Sequence, residues 1–468
     1  MKFFILLAPV VVLILGFPAY GAVKWPAEQL LPSFSKPASP QDLISIPPEG
    51  TDQPAADAVL FSSLKGLINR TKPRIWTAEG TGTDKFKWLA DLGLSYTEIS
   101  DPWTLFTKYH REIKGLVVYD DAQPDTINLA STIAGQRNAL VVAPQSVAML
   151  TAAPYNFPIL VDLRGKFADK LSVYQYLYDN YWTGATHRVL VGLNPTTLPG
   201  ALREYAIAVN SAVVWLDPRK PDQKALLDRF LSTMAPGTLF MGWWPEEGTG
   251  VTAASSYGVV TCASDWCTNL SNFSGTSRKV AVKGTPKDMP QIENKIYLAF
   301  IMSDGDNLQY QEHHLRDIWN DPARGTVPMG WTMSPMMLDA MPGVLNYYYK
   351  TATPNDCLLC GLYGLVFGLV WPWLAGPGWL RGLALGIIVA LIGLLGVPVF
   401  RRYQPGAAWL SLSDFTTLMT AVLTYGLPAS LNSSKALIWG RSLLVNGFWG
   451  IGAGVFLSLL LPRGRRRA

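Results

Sequence analysis

IYLAFIMSDGDN, Ile296 to Asn307, decides how this chain is read. Its first part, Ile296 to Met302, is apolar on both faces and carries aromatic and β-branched side chains, the pattern of a strand buried within a parallel sheet. The pattern stops on Ser303-Asp304-Gly305-Asp306-Asn307, and a helix-like stretch, Leu308 to Asn320, follows at once. In α/β sheets the polar groups at the C-terminal ends of parallel strands face the ligand crevice, so this acid-rich turn is a candidate site. The same residue types also suit Asx turns and a helix cap.

Upstream, the same alternation recurs. Strands are expected at Arg74–Thr77, Gly115–Tyr119, Ala139–Val142, Ile159–Leu163, Val189–Gly192 and Ala212–Leu216. Helices are expected at Ala55–Arg70, Lys85–Leu92, Thr126–Gly135 and Lys170–Tyr181, the first with Val59, Leu60, Leu64, Leu67 and Ile68 on one face. These form an N-terminal parallel α/β domain over residues 38–218. A second unit, 221–356, repeats the order: helix Lys224–Met234, strand Thr238–Gly242, strand Tyr257–Thr261, the Ile296 strand, strand Val327–Met333 and helix Met336–Lys350. It reads as a truncated (β/α)-barrel-like domain. Residues 23–50, rich in Pro and Ser, are expected to run extended over the surface.

The two ends are of different material. Met1-Lys2, the apolar run Phe3–Phe17 and the small residues to Ala22 read as a secretory signal, which places residues 23 onward outside the cytosol. From Gly361 to Leu461 the chain holds a single acid, Asp414, and reads as three or four transmembrane helices followed by a basic tail, 462–468. Basic residues fit the positive-inside rule only when one span is dropped, which reads as a join between unrelated pieces near residue 357, or as a membrane-anchored variant. The net charge of +5 partly reflects Arg463, Arg465, Arg466 and Arg467, and no basic patch interleaved with aromatics points to nucleic acid. Cys262 and Cys267 could close a small disulfide loop in an oxidising compartment; a zinc site using them with Cys357 and Cys360 lacks accompanying His.

Glycoside hydrolysis needs two carboxyl groups across a sugar and aromatic platforms for its ring. Trp243-Trp244-Pro245-Glu246-Glu247 ends one expected strand and Asp304 and Asp306 end another, so both components are present. Asp304, Asp306 and Glu247 are the acid/base candidates; Trp243, Trp244, Glu246, Asn307 and Trp331 are the substrate-binding candidates. With 17 tryptophans in the chain, the adjacent pair also suits core packing. No cofactor and no metal is expected: an EF-hand on Asp304, Asp306 and Asn307 lacks its twelfth-position acid, and Glu312-His313-His314 is not H-E-x-x-H.

The run from Ile296 to Thr353-Pro354-Asn355-Asp356, with the upstream GWWPEEGTGV, resembles the GxGYxYxP putative glycoside hydrolases over residues 38–356. The resemblance implies an N-terminal α/β domain, a barrel-like hydrolase domain and a carbohydrate substrate. Asp304, Asp306 and Asn307 match its SDGDN motif and Glu247 an upstream acid. The glycine-tyrosine signature that names the family is absent, and Cys357-Leu358-Leu359-Cys360 stands in its place. The expectation is therefore a membrane-tethered, extracytoplasmic glycosidase, inactive if truncation removed what it needs; the alternative is a non-catalytic carbohydrate-binding or surface protein, with the lipid bilayer as partner of the tail.

Overall fold

The computed structural model describes residues 23–26, 29–79, 87–280, 300–305 and 307–360. The signal-like residues 1–22, Asp306, the candidate spans at 361–461 and the basic tail lie outside them. Among the described residues no helix is long and apolar enough to cross a membrane.

Thirteen strands are described: β1 Gln41–Ile44, β2 Ile75–Thr77, β3 Tyr96–Glu98, β4 Gly115–Val118, β5 Ala139–Val142, β6 Ile159–Asp162, β7 Thr186–Gly192, β8 Ser211–Val214, β9 Leu239–Gly242, β10 Val260–Ala263, β11 Ile301–Met302, β12 Met329–Met333 and β13 Asp356–Cys360. They form four sheets, ordered β2-β1-β3, β5-β4-β6, β10-β9-β7-β8 and β11-β12-β13. Every described strand pair is parallel. The expected α/β class therefore holds, and β4, β5, β8 and β9, buried along their whole length, carry the short apolar runs that burial on both faces demands.

The first three sheets share one plan. In each, the first strand is central, the second pairs on one side and the third on the other. The helices that follow β1, β4 and β7, Pro54–Thr71, Thr126–Arg137 and Arg203–Ala208, pack against one another. Each of the first two also covers the edge strand of the next unit and satisfies its backbone. The Val141 N–H of β5 donates to Ser63 Oγ (3.0 Å), and the Val213 N–H of β8 donates to Thr132 Oγ1 (3.0 Å). On β2, the Thr77 N–H donates to Asn269 Oδ1 (2.9 Å). Three sheet edges are thus closed by side chains from elsewhere in the fold.

Several expectations change. The helix Pro54–Thr71 is buried on nearly all sides, including Asp57, Lys65 and Asn69, because strands of two sheets and three helices pack against it. The stretch expected to run over the surface contains β1, the buried centre of its sheet. Its polar residues are partnered inside: Asp42 accepts from Lys108 Nζ (2.7 Å) and Tyr109 OH (2.5 Å), and Gln41 Nε2 donates to Pro73 O (3.0 Å). The boundary expected between 218 and 221 falls inside one sheet, since β8 and β9 both pair with β7. The helix expected over 308–320 breaks at His313, and the one over 336–350 breaks at Met341 before Pro342. Cys262 and Cys267 are both buried and are not joined in a disulfide.

Two cores result. Leu190, Ala212, Val214 and Phe240 point from the four-stranded sheet into one, with Trp244, Ala253 and Ala254. Val189, Val191, Val213, Leu239 and Met241 point from its other face into a second, shared with Trp331 and Met333 of β12 and with Leu308 and Leu315. Cys357, near which the join was expected, lies within β13, which pairs in register with β12.

Candidate functional site

The site is built around the helix Leu308–Glu312, which follows β11 and packs against the end of β10 and the loop after it. β11 hands its chain to Ser303 and Asp304, and Asp304 adopts φ +66°, a left-handed conformation that costs a non-glycine residue on the order of 1 kcal/mol. Gly305 follows, buried; a Cβ there would lie 2.3 Å from the carbonyl carbon of Thr332. Only glycine lets this turn lie flush on β12. The Asn307 N–H donates to Asp304 O (3.1 Å), and Gln311 Nε2 donates to Gly305 O (2.7 Å). Asn307 caps the next helix, its Oδ1 accepting from the Tyr310 N–H (3.0 Å). This leaves the Asp304 side chain exposed. It lies close enough to Tyr310 that its charge adds to the effect of burial in raising the Tyr310 hydroxyl pKa.

Opposite stand residues that the motif reading missed. β10 ends on Ser264-Asp265-Trp266. Ser264 Oγ accepts from the Gly242 N–H (2.8 Å) and so ties β10 to β9. The Asp265 side chain is half-buried, its Oδ1 has no hydrogen-bond partner among the described residues, and burial raises its pKa above the ordinary aspartate value. Its own backbone N–H and Gln309 act in the opposite direction. Trp266 beside it is 56 % exposed, the most exposed large apolar side chain described. Its N–H donates to Gln309 Oε1 (2.6 Å), and its carbonyl meets His313 Nε2 at 3.3 Å. Asp265 and Asp304 therefore flank the same helical turn, Leu308–Glu312. The signal in the sequence was an acid and a tryptophan side by side, four and five residues beyond the expected strand end at Thr261.

The other sequence candidates are placed differently. Trp331 is buried in β12, packs on Trp319 (ring centroids 5.0 Å) and donates from Nε1 to Asp356 Oδ1 (2.8 Å), so it is a core residue and not a platform. Trp244 is also core: it stacks on Phe240 (3.5 Å, 8°) and donates to Thr261 Oγ1 (3.1 Å). Glu246 caps the helix Glu247–Ser256, accepting from the N–H groups of Gly248 (3.0 Å) and Thr249 (2.9 Å). The Thr249 hydroxyl and N–H hold its carboxyl below the usual glutamate range. Trp243 is half-buried and Glu247 is exposed in that helix's first turn. That helix packs into the core opposite the one beneath Asp304, so the fold sets Glu247 and Asp304 on different sides of the four-stranded sheet. Asp306 lies outside the described residues. Among those described, no group of three or more His, Cys, Asp or Glu side chains is placed to hold a metal ion.

Four family models match the chain in succession. They are the GxGYxYP_N first domain over residues 48–111, the GxGYxYP_N second domain over 113–185, the GxGYxYP third domain over 187–275, and the GxGYxYP putative glycoside hydrolase C-terminal domain over 294–372. Together they cover well over half of the chain. The chain belongs to the GxGYxYP family. The candidate site draws on its third and C-terminal domains, β10 from one and β11 from the other. The family match runs on to residue 372, past residue 356 where the resemblance was expected to stop and into the first apolar stretch of the tail. The fold is similar to that of a crystal structure titled as a putative hydrolase from Bacteroides thetaiotaomicron VPI-5482. The TM-score is 0.62 at 20% identity, covering 90% of this chain and 78% of that one. No match is found among curated proteins.

Proposed function

We propose that this GxGYxYP protein is a glycoside hydrolase whose acid is Asp265 and whose second carboxylate, as base or nucleophile, comes from the Asp304 turn, with Asp306 as its neighbour in the same motif. The observation that carries the reading is the contrast between the two carboxyls flanking Leu308–Glu312. Asp265 is half-buried, with Oδ1 shut off from water and its pKa raised; Asp304 is exposed to water. Environments that separate two acids in this way divide the roles of proton donor and base. Trp266 offers an exposed ring beside the donor for the apolar face of a sugar. Glu247, on the other side of the four-stranded sheet, takes no part in this pair. The signal-like N-terminus and the apolar stretches at 361–461 support an exported, membrane-tethered enzyme acting on extracytoplasmic glycan; fractionation of cells expressing the full chain tests this, and recovery in the cytosol would contradict it.

The test is reducing-sugar release from a panel of polysaccharides. Asp265→Asn and Asp304→Asn should each lower turnover by about 10²-fold or more, with the soluble fold retained. Because burial raises Asp265, the wild-type alkaline limb should lie above the ordinary aspartate value of 3.8. Full turnover in Asp304→Asn removes the assignment. A second reading, glycan binding without turnover, is favoured by the exposure of Trp266 alone; binding that is lost in Trp266→Ala, with no release of sugar by the wild type, would establish it instead.

A further inference from the structure

The loop that carries Asp265 and Trp266 is held from beneath by groups that no substrate can touch. Lys65, in the middle of the helix Pro54–Thr71, is fully buried. Its Nζ donates to Thr268 O (2.6 Å), Asn269 Oδ1 (2.5 Å) and Thr77 Oγ1 (2.9 Å). Glu312, also buried, takes the other side of the same residue: its Oε1 accepts from the Thr268 N–H (3.2 Å) and from the Thr268 hydroxyl (2.7 Å). Glu312 is itself fixed, since its carbonyl accepts from Trp88 Nε1 (2.7 Å). Thr268 is therefore gripped at its carbonyl by a cation and at its N–H and hydroxyl by an anion. The two charges come from the first domain and from the C-terminal domain, while Thr268 belongs to the third.

We infer that Lys65 and Glu312 are positioning residues. They act through Thr268 to hold Asp265 and Trp266 against the helix that follows the Asp304 turn, and so make the N-terminal domain part of the site's geometry. This rests on the reading of Asp265 and Asp304 as the working pair, but the clamp itself has an independent readout. A surface loop with an exposed tryptophan ordinarily exchanges its amides quickly. Here the N–H groups of Trp266, Cys267 and Thr268 are all bonded, to Gln309, Ser264 and Glu312. Buried opposite charges also compensate each other, so removing one can unfold the chain, and the gentler change is made at Thr268.

The experiment is hydrogen exchange by mass spectrometry on the full chain, comparing wild type with Glu312→Gln, Thr268→Val and Thr268→Ser. Exchange over residues 264–269 should rise by about tenfold in the first two. It should return to the wild-type rate in Thr268→Ser, which restores the hydroxyl, and helix Thr126–Arg137 should not change in any of them. Unchanged exchange in both Glu312→Gln and Thr268→Val overturns the clamp. So does a rise that spreads equally to helix Thr126–Arg137, which makes Thr268 a general support of the fold. If the clamp loosens as expected but the wild type releases no sugar from any glycan, the positioning role of Lys65 and Glu312 stands and the hydrolase reading falls. If it does turn over glycan, Thr268→Val should lower kcat more than it raises KM, and Thr268→Ser should recover it.

Discussion

Asp356 begins β13 with its side chain fully buried, and nearly every group around it is turned toward that carboxylate. It accepts from Trp331 Nε1 (2.8 Å), from the Thr353 N–H and hydroxyl (each 2.8 Å) and from the guanidinium of Arg324. Burial pushes its pKa up, yet the donors from Thr353, Trp331 and Arg324 outweigh burial and hold it below the ordinary value. A depressed carboxyl stabilises the fold above its unfolded pKa, near 3.8, and that contribution disappears as pH falls through the folded value. Asp356→Ala strands Arg324 and should cost about 3–5 kcal/mol, read from urea unfolding. A loss under 1 kcal/mol would mean that water replaces the carboxylate at little cost. The TPND end of the family motif is thus structural, while its SDGDN end carries the candidate chemistry. At the same scale, Glu246→Ala should cost about 1 kcal/mol through loss of a helix cap.

At the scale of elements, the repeated device is a helix hydroxyl closing the edge of the next unit's sheet. Thr132 accepts from Val213 and donates to Asn128 O (3.0 Å). Thr132→Val keeps the shape and leaves the Val213 N–H buried without an acceptor, so it should cost about 1–3 kcal/mol by urea unfolding. Ser63→Ala does the same to Val141 and should cost a similar amount; two neutral results would show that these edges are solvated in other ways. Most long elements were readable, because apolar runs such as Leu140–Val142 and Leu116–Val118 have no other use than a buried strand. β1 was not, because Gln41 and Asp42 look like loop residues until Lys108, Tyr109 and Pro73 are brought to them. The three-unit plan was not readable either. The helices that follow the central strands are 18, 12 and 6 residues long, which hides any fixed period.

For the molecule as a whole, buried ionisable groups where the domains meet make stability depend on pH in two opposite directions. Glu79, bonded to Trp76 Nε1 (3.0 Å) and the Trp88 N–H (3.1 Å), has its carboxyl pushed from 4.5 to about 8, mainly by burial and also by the charge of Glu312. The folded chain keeps a proton there that the unfolded chain loses. That stabilisation is complete below pH 4.5 and is lost as pH rises through about 8. Lys65 is lowered from 10.5 to about 8 by burial, so folding becomes more favourable again between those values. Melting temperature should fall from pH 5 toward a minimum near 8 and then recover. Glu79→Gln should remove the fall on the acid side, and a wild-type melting temperature that stays flat from pH 5 to 8 would contradict the burial of Glu79.

The sequence by itself determined the parallel α/β class, most of the strands, the family, and the Asp304 turn as the place to look. These follow from local facts: apolar runs with strand length, a glycine between acids, and motif residues at fixed spacing. Tertiary structure decided which candidates could meet a ligand. It buried Trp331 and Trp244, spent Glu246 on a cap, and moved Glu247 to the far side of a sheet. It also brought Asp265 and Trp266 up to the helix that follows the Asp304 turn and set Lys65 beneath their loop. Exposure and partnership depend on residues far apart in the chain, Lys65 and Glu312 among them, and no local pattern states which distant side chains will close over a residue and which will leave it open to water.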